Sequence, residues 1–209
     1  MLNGTKVSKW FIYKNPNLAN GYIDENIKVN KLLYFSQLMY YSVFNKKLLS
    51  DKFIAFPKGP VIFEVYTDYR YNGLNRFVNN QEDIDDKPQK QILEIVNFMY
   101  AKKNTEDLIK VSHNHNLWND IQHLIPYNPE IIFENVSEDI INYYKNIYST
   151  YKDTDFSLLG IEHVGGNTYY YRKDKITLNE DVISKLYEMP KFEYPQFVVD
   201  IRDDEIILA

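Results

Sequence analysis

Three of the four histidines fall close together in the sequence, at His113, His115 and His123. Imidazole is a common metal ligand, and two histidines two residues apart can bind one ion from a strand edge or a loop. On a helix the same two side chains point about 200° apart and do not easily share an ion. No His-Glu-x-x-His motif and no acidic residue at a familiar spacing completes the set. We therefore expect no metal site, and a metal-dependent hydrolase that uses His113 and His115 is kept as an alternative.

The other motifs of catalysis are missing from the sequence. The chain has no cysteine, which excludes disulfides, thiolate nucleophiles, iron–sulfur clusters and cysteine-based zinc sites. It has no P-loop, no Gly-x-Gly-x-x-Gly and no Gly-x-Ser-x-Gly, so no nucleotide fingerprint and no hydrolase nucleophile is recognisable. The sequence predicts a protein that is not an enzyme and needs no cofactor.

The size and charge of the chain limit its classes of function. Its 209 residues, 44% hydrophobic and 25% charged, are typical of a globular protein. The net charge of −5 disfavours non-specific nucleic-acid binding, because that binding depends on Lys and Arg neutralising phosphates. A DNA-binding regulator of its own operon is kept as an alternative. The 19 tyrosines fit an AT-rich genome or a Tyr-rich binding surface.

The N-terminal segment has no long apolar core of the kind found in signal peptides. No run in the chain approaches the ~20 apolar residues that span a bilayer. We expect a cytoplasmic protein without membrane contact.

Apolar periodicity predicts helices over most of the chain up to residue 151. The strongest helix spans 27–44, where Leu32, Phe35, Met39 and Val43 form one apolar face, and it is the expected core helix. Further helices are expected at 6–13, 60–71, 88–102, from the N-cap Thr105 through the histidine-rich element, at 117–124, and from the N-cap Ser137 to 151. The acidic segment 79–87 is expected to be an exposed loop, and 125–129 another loop.

The pattern changes near Asp153. Two β-prone runs, 158–164 and 168–172, flank Gly165-Gly166 and predict a hairpin. A helix at 177–189 and a β-prone segment at 197–201 follow. The expected fold class is α+β and predominantly α-helical, with a compact helical domain at 1–152 and a small α+β extension at 153–209.

Three short segments, taken in order, resemble the Panacea antitoxin domain, which is also called SocA-like or GepA-like. They are Ile27-Lys-Val-Asn-Lys-Leu-Leu-Tyr-Phe-Ser-Gln37, Phe56-Pro-Lys-Gly-Pro-Val61 and Val111-Ser-His-Asn-His-Asn-Leu-Trp118. The family shows a Lys-Leu-x-Lys-Leu-Leu-Tyr-Phe-Ala-Gln-like helix, a Tyr-Gly-Pro-Val turn and a Thr-His-x-x-x-Pro-Trp-like element. The departures are the displaced aromatic Phe56, His115 in place of an acidic residue and Leu117 in place of proline. The resemblance covers about residues 5–150.

The resemblance implies a protein that neutralises a toxin by direct binding, in bacterial chromosomes and prophages. Some members of the family are adaptors that deliver the toxin to the ClpXP protease. A phage or mobile-element protein that inhibits a host enzyme or defence system is the alternative within the same binding chemistry.

Two sets of residues follow from this reasoning. The expected structural set holds the motif segments together, with His113 contributing an imidazole hydrogen bond and Trp118 an apolar anchor. Its members are Leu32, Phe35, Gly59, Pro60, Val61, His113 and Trp118. The expected partner-binding set is Lys31, Tyr34, Lys58, Tyr66, Tyr169 and Tyr171. The last two lie in the C-terminal extension, which is expected to dock a partner by strand addition.

Overall fold

The computed structural model describes residues 1–76, 84–192, 196–202 and 205–208. The chain divides into two compact units, Met1–Asp153 and Thr154–Ala209. The first unit is helical apart from one short hairpin, and the second is built on a four-stranded sheet. The fold class predicted from the sequence, α+β and predominantly helical, is confirmed.

The first unit is organised around one long helix. Its elements are α1 (Gly4–Lys14), α2 (Ile23–Phe44), β1 (Ile54–Phe56), β2 (Gly59–Val61), α3 (Phe63–Tyr71), α4 (Lys87–Tyr100), α5 (Thr105–His113), α6 (Asn116–Asn119) and α7 (Glu138–Tyr151). Helix α2 packs against α1, α3, α4, α5, α7 and β2. Because it has neighbours on all sides, its polar positions are buried as well as its apolar ones, including Asn26, Asn30, Lys31 and Gln37.

The ends of the helices follow local capping chemistry. Asn3, Asp86 and Asn104 each accept a backbone N–H in the first turn of α1, α4 and α5. The predicted cap of α5 was Thr105, but Thr105 is the first helical residue and Asn104 is the cap. Helix α2 ends at Phe44, and its C-cap Asn45 adopts the left-handed conformation at φ +52°.

The segment after Gly59 differs from its prediction. A helix was expected from Pro60, but Gly59–Val61 pairs antiparallel with Ile54–Phe56, and α3 begins at Phe63. Proline at the first helical position is favourable, yet here Ala55 and Pro60 face each other in the hairpin. Tertiary pairing with β1 therefore takes precedence over the local helix signal.

The histidine-rich element is also broken where a continuous helix was expected. Helix α5 ends at His113, α6 is a single turn, and Gln122–Tyr127 forms a 3₁₀ helix where a loop was expected near Pro126. Residues 79–83 of the acidic loop predicted at 79–87 lie outside the described residues. Asp86, in the described part, caps α4.

In its described residues the second unit is a small mixed sheet with one α-helix and a short 3₁₀ helix, Phe156–Leu158. Its strands β3 (Leu159–Val164), β4 (Asn167–Arg172), β5 (Gln196–Arg202) and β6 (Glu205–Leu208) lie in that order, and only the β4–β5 pair is parallel. The predicted hairpin is confirmed: Gly165 and Gly166, both with positive φ, turn β3 into β4. Helix α8 (Glu180–Glu188) is capped by Asn179, and the strand β6 was not predicted.

The core of the second unit is almost wholly apolar. Its buried members are Tyr169, Ile176, Val182, Leu186 and Val198. The Tyr169 hydroxyl donates to the Leu186 carbonyl at 3.1 Å and accepts from Asn167 Nδ2 at 3.0 Å, so this buried polar group is satisfied.

No helix in the described part of the chain is both long enough and apolar enough to cross a bilayer.

Candidate functional site

The three motif segments meet at Gly59. The Lys31 ammonium on α2 donates to the Pro60 carbonyl of β2 at 3.3 Å. A Cβ atom placed on Gly59 would lie 2.6 Å from Lys31 Nζ and 2.7 Å from Ser112 Oγ of α5. Gly59 also has φ +95°, a conformation that other residues rarely adopt. Only glycine therefore lets the hairpin approach α2 and α5 this closely.

Polar side chains of α2 hold the surrounding loops. Asn30 Oδ1 accepts the Ile62 N–H at 2.9 Å, and Asn26 Nδ2 donates to the Tyr66 carbonyl at 3.0 Å. Further along, Gln37 Oε1 accepts two backbone N–H groups, from Leu48 and Leu49. Buried backbone groups need partners, and α2 supplies them to Ile62, Leu48 and Leu49, which lie outside the helices and strands.

Lys31 is an unusual member of this group because it is fully buried. Burial lowers the pKa of its ammonium to about 7, since removing a charge from water is costly. No carboxylate pairs with it among the described residues, and its acceptor is the neutral Pro60 carbonyl. Lys31 is thus a buried base whose charge changes near neutral pH.

His113 and Trp118 stack face to face, with ring centroids 3.6 Å apart and planes inclined by 4°. Trp118 Nε1 donates to the Phe56 carbonyl at 2.9 Å, which ties α6 to the end of β1. Desolvation lowers the pKa of His113, and the nearby Lys31 cation lowers it further. Its Nε2 atom is buried and has no hydrogen-bond partner among the described residues. The expected imidazole hydrogen bond is therefore not made at this atom, and ring stacking holds His113.

His115 makes the imidazole hydrogen bond that was expected of His113. Its Nδ1 lies 3.1 Å from the Tyr34 hydroxyl, in a cluster of rings that includes Phe35, Phe133 and Tyr144. Burial lowers the pKa of His115 to about 4 and raises that of Tyr34. Both side chains are therefore neutral at physiological pH, and this pair is part of the core.

The described residues hold no group of three or more His, Asp or Glu side chains that could bind a metal ion. His113 and His115 face different neighbours, the first Trp118 and the second Tyr34. The groups of this region are the Lys31 amine, two imidazoles and the Tyr34 hydroxyl. They belong to the packed interior of the unit.

The structure separates the residues predicted to contact a partner. Lys31, Tyr34 and Tyr169 are fully buried, so their side chains form no surface in this conformation. Lys58 is exposed at the hairpin turn, and Tyr66 and Tyr171 are partly exposed. The structural set is buried except for His113, which is half-buried: Leu32, Phe35, Gly59, Pro60, Val61 and Trp118.

A partly exposed aromatic group lies beside the hairpin, and of its members only Tyr66 was predicted from the sequence to bind a partner. We call it the aromatic rim: Phe56, Phe63, Tyr66 and Arg70. The Phe56 ring lies 6.4 Å from the Phe63 ring and 5.8 Å from the Tyr66 ring, and Arg70 Nη1 donates to the Tyr66 hydroxyl at 3.0 Å. Phe63 is 49% exposed, a large value for phenylalanine.

A sequence signal for the rim exists on α3. Phe63, Tyr66 and Arg70 follow i, i+3, i+7 spacing, whereas the buried residues of α3 are Val65 and Tyr69. The two faces of this short helix can be told apart by which one packs against α2: Val65 and Tyr69 lie on the buried face, and the rim residues do not.

Comparison with known proteins gives one match. Neither the search of curated proteins nor that of solved structures finds a similar chain. A family model matches residues 29–119, a segment that contains most of α2, the β1–β2 hairpin and helices α3 to α6. All three motif segments lie in this stretch except the first two residues of the α2 motif. The matching family is the antitoxin SocA-like family with the Panacea domain, which confirms the resemblance seen in the sequence.

Proposed function

We propose that this protein is an antitoxin that acts in the cytoplasm and neutralises a cognate toxin by direct protein–protein binding. The match of residues 29–119 to the antitoxin SocA-like family supports the class of function. The aromatic rim is the observation that carries the proposal, because it is an exposed surface of aromatic and arginine side chains within that matched segment. Tyr and Arg are among the residues that contribute most to binding energy at protein interfaces.

The rim is held in place before any partner arrives. Trp118 Nε1 binds the Phe56 carbonyl, and Asn26 binds the carbonyl of Tyr66. The Arg70 guanidinium orients the Tyr66 hydroxyl. A surface that is already ordered loses little conformational entropy on binding, so more of the contact energy appears as affinity.

Binding at this surface would cover a functional face of the toxin. Phe63 is the natural anchor, since it is half-exposed and the Phe56 ring lies 6.4 Å from its own, while Arg70 adds a positive charge at the neighbouring Tyr66. The buried cluster of Lys31, His113 and Ser112 supports the hairpin from beneath. In this mechanism neutralisation is stoichiometric and involves no covalent chemistry.

The first experiment identifies the toxin. A short reading frame beside the gene should be toxic alone and harmless when it is expressed with this chain. Purified toxin and this protein should then form a complex in calorimetry. A toxin whose toxicity persists on co-expression, or that forms no complex, contradicts the proposal.

The second experiment tests the rim. Phe63→Ala should weaken toxin binding at least about tenfold, as expected for a central aromatic anchor, without lowering the melting temperature. Tyr143→Ala is the matched control, because Tyr143 is 51% exposed and lies on α7. Equal losses for both variants, or none for Phe63→Ala, would show that the rim is not the binding surface.

Delivery of the toxin to a protease such as ClpXP is a separate form of the same function. The toxin's half-life in cells that contain or lack the protease distinguishes the two. A toxin that disappears only when both this protein and the protease are present indicates an adaptor. A stable, inactive complex indicates neutralisation by binding alone.

A further inference from the structure

A small polar cavity lies where the end of α1, the start of α2 and the end of α4 meet. Its volume is about 270 Å³, at the small end for ligand sites. Its charged lining residues are Lys14, Glu25, Lys28 and Lys102, and Asn15 and Asn17 add amide groups. None of these residues belongs to the aromatic rim, so the cavity is a distinct site.

Glu25 is the group that most needs explanation. Its Oε2 atom is buried and has no hydrogen-bond partner among the described residues. A buried carboxylate oxygen without a donor is costly, because it has lost water and gained nothing in return. The cost is recovered when a molecule with an ammonium or N–H group occupies the cavity that Glu25 lines.

The three lysines of the cavity favour a ligand with an anionic group. Lys14 lies in the last turn of α1, where positive charge interacts favourably with the helix dipole, and it also lies 5.6 Å from the Trp10 ring centroid. Lys102 follows the C-cap of α4. Lys28 has no such role, because it lies near the start of α2, where the dipole does not stabilise a cation. No ion pair is described for Lys28. An anionic group in the cavity would pair with it.

We propose that this cavity binds a small acidic amino acid, with the ligand's ammonium group at Glu25 and its carboxylates at Lys28, Lys14 and Lys102. The three lysines and one glutamate carry a formal charge of +2, and an acidic amino acid carries two negative groups and one positive group. The size of the cavity suits a ligand of this kind better than a nucleotide. Ligand binding at this cavity does not depend on the proposed antitoxin function.

Calorimetric titration of the full chain tests the proposal with two matched probes. L-Glutamate carries the ammonium group, and glutarate has the same two carboxylates without it. We expect L-glutamate to bind about tenfold or more tightly than glutarate, the difference of a hydrogen bond to a charged group. L-Lysine, with the opposite net charge, should not bind.

Variants assign the two halves of the ligand. Glu25→Gln should abolish the preference for L-glutamate over glutarate, whereas Lys28→Met should weaken both. Asp24→Asn is the control, because Asp24 is the exposed carboxylate next to Glu25 in the first turn of α2. It removes the same charge from the helix start, and it should leave both affinities unchanged.

Three results would overturn the proposal. They are dissociation constants weaker than about 10 mM for L-glutamate, equal affinity of the wild-type protein for glutarate, and equal effects of Asp24→Asn and Glu25→Gln. Since no toxin is present in these titrations, failure here says nothing against antitoxin activity, and loss of antitoxin activity says nothing against the cavity.

Discussion

The interiors of the two units follow different rules. Around α2, the first unit buries Lys31, His115, Asn30 and Gln37 among its apolar side chains. The core of the second unit consists of apolar residues and one tyrosine whose hydroxyl is satisfied. The first interior can be disturbed by protonation and by loss of single polar contacts. The second depends mainly on packing, and its polar contacts are those of the buried Asn167 and the Tyr169 hydroxyl. The difference shows that α2 both fills a core and organises loops around it.

Glycine substitution tests this comparison with the largest expected effect. Gly59→Ala should lower the free energy of unfolding of the first unit by about 3 kcal/mol, because it combines a positive φ with a clash against Lys31 and Ser112. In the second unit, Gly166 has φ +80° but its nearest atom to an added Cβ is the flexible Lys191 side chain at 3.3 Å. Gly166→Ala should cost about 1 kcal/mol.

Denaturant titration followed by tryptophan fluorescence measures the Gly59 effect, because Trp10 and Trp118 both lie in the first unit. Circular dichroism follows Gly166→Ala. If both substitutions cost the same, the close approach at Gly59 contributes nothing beyond backbone strain.

Acid should destabilise the first unit through His115. Its pKa is about 4 in the folded state and near 6.5 in the unfolded state. Between these values the unfolded chain binds a proton that the folded chain does not bind. Stability is complete above pH 6.5 and should fall by about 3 kcal/mol as the pH approaches 4. In His115→Gln this part of the pH dependence should disappear, and the exposed His123→Gln should keep it. An unchanged slope in His115→Gln would show that carboxylates alone govern acid unfolding.

Raising the pH above 7 should stabilise the first unit through Lys31. The unfolded amine keeps its proton to about pH 10.5, whereas burial lowers the folded pKa to about 7. Between these values the unfolded state binds more protons, so stability should rise by about 1.4 kcal/mol per pH unit. The measurement is unfolding free energy from pH 7 upwards.

The matched variant for this slope is Lys31→Met, which keeps the length of the side chain. This variant should remove the rise of unfolding free energy with pH. It should also stabilise the protein at pH 7 by on the order of 2 kcal/mol, a figure that already includes the loss of the hydrogen bond to Pro60. If the variant is less stable than the wild type at pH 7, the contacts of Lys31 stabilise the fold by more than the burial of its charge destabilises it.

Truncation is expected to have the smallest effect on stability. A chain that ends before residue 153 should retain a folded helical domain, because the core around α2 is formed within the first unit. Toxin binding should nevertheless weaken if the extension docks a partner by strand addition. Full neutralisation by the truncated protein would remove the second unit from the mechanism.

Several elements could be predicted because their signals are local. The hairpin at Gly165-Gly166 follows from two β-prone runs and residues that tolerate positive φ. Helix α7 begins after Ser137 as expected, and α2 ends at Phe44 as expected. The start of α3 was wrong because strand pairing with β1 is a long-range interaction that no local window contains.

The candidate site was less predictable for the same reason. His113 and His115 are two residues apart, yet one stacks on Trp118 and the other binds Tyr34. Helix α5 ends at His113, so the backbone at His115 does not follow the continuous helix that was predicted. The exposure of Phe63 depends on which face of α3 is buried, and this is a property of the packed unit.

The sequence by itself determined the class of fold, the core helix, the C-terminal hairpin and the family resemblance, because each depends on periodicity, turn chemistry or residue order. Only the tertiary structure decided that Lys31 and Tyr34 lie inside while Phe63 and Arg70 lie outside. Burial is set by the neighbours a side chain meets after the chain has folded. For that reason the motif residues identify the scaffold, and the surface proposed to bind a partner was found beside them.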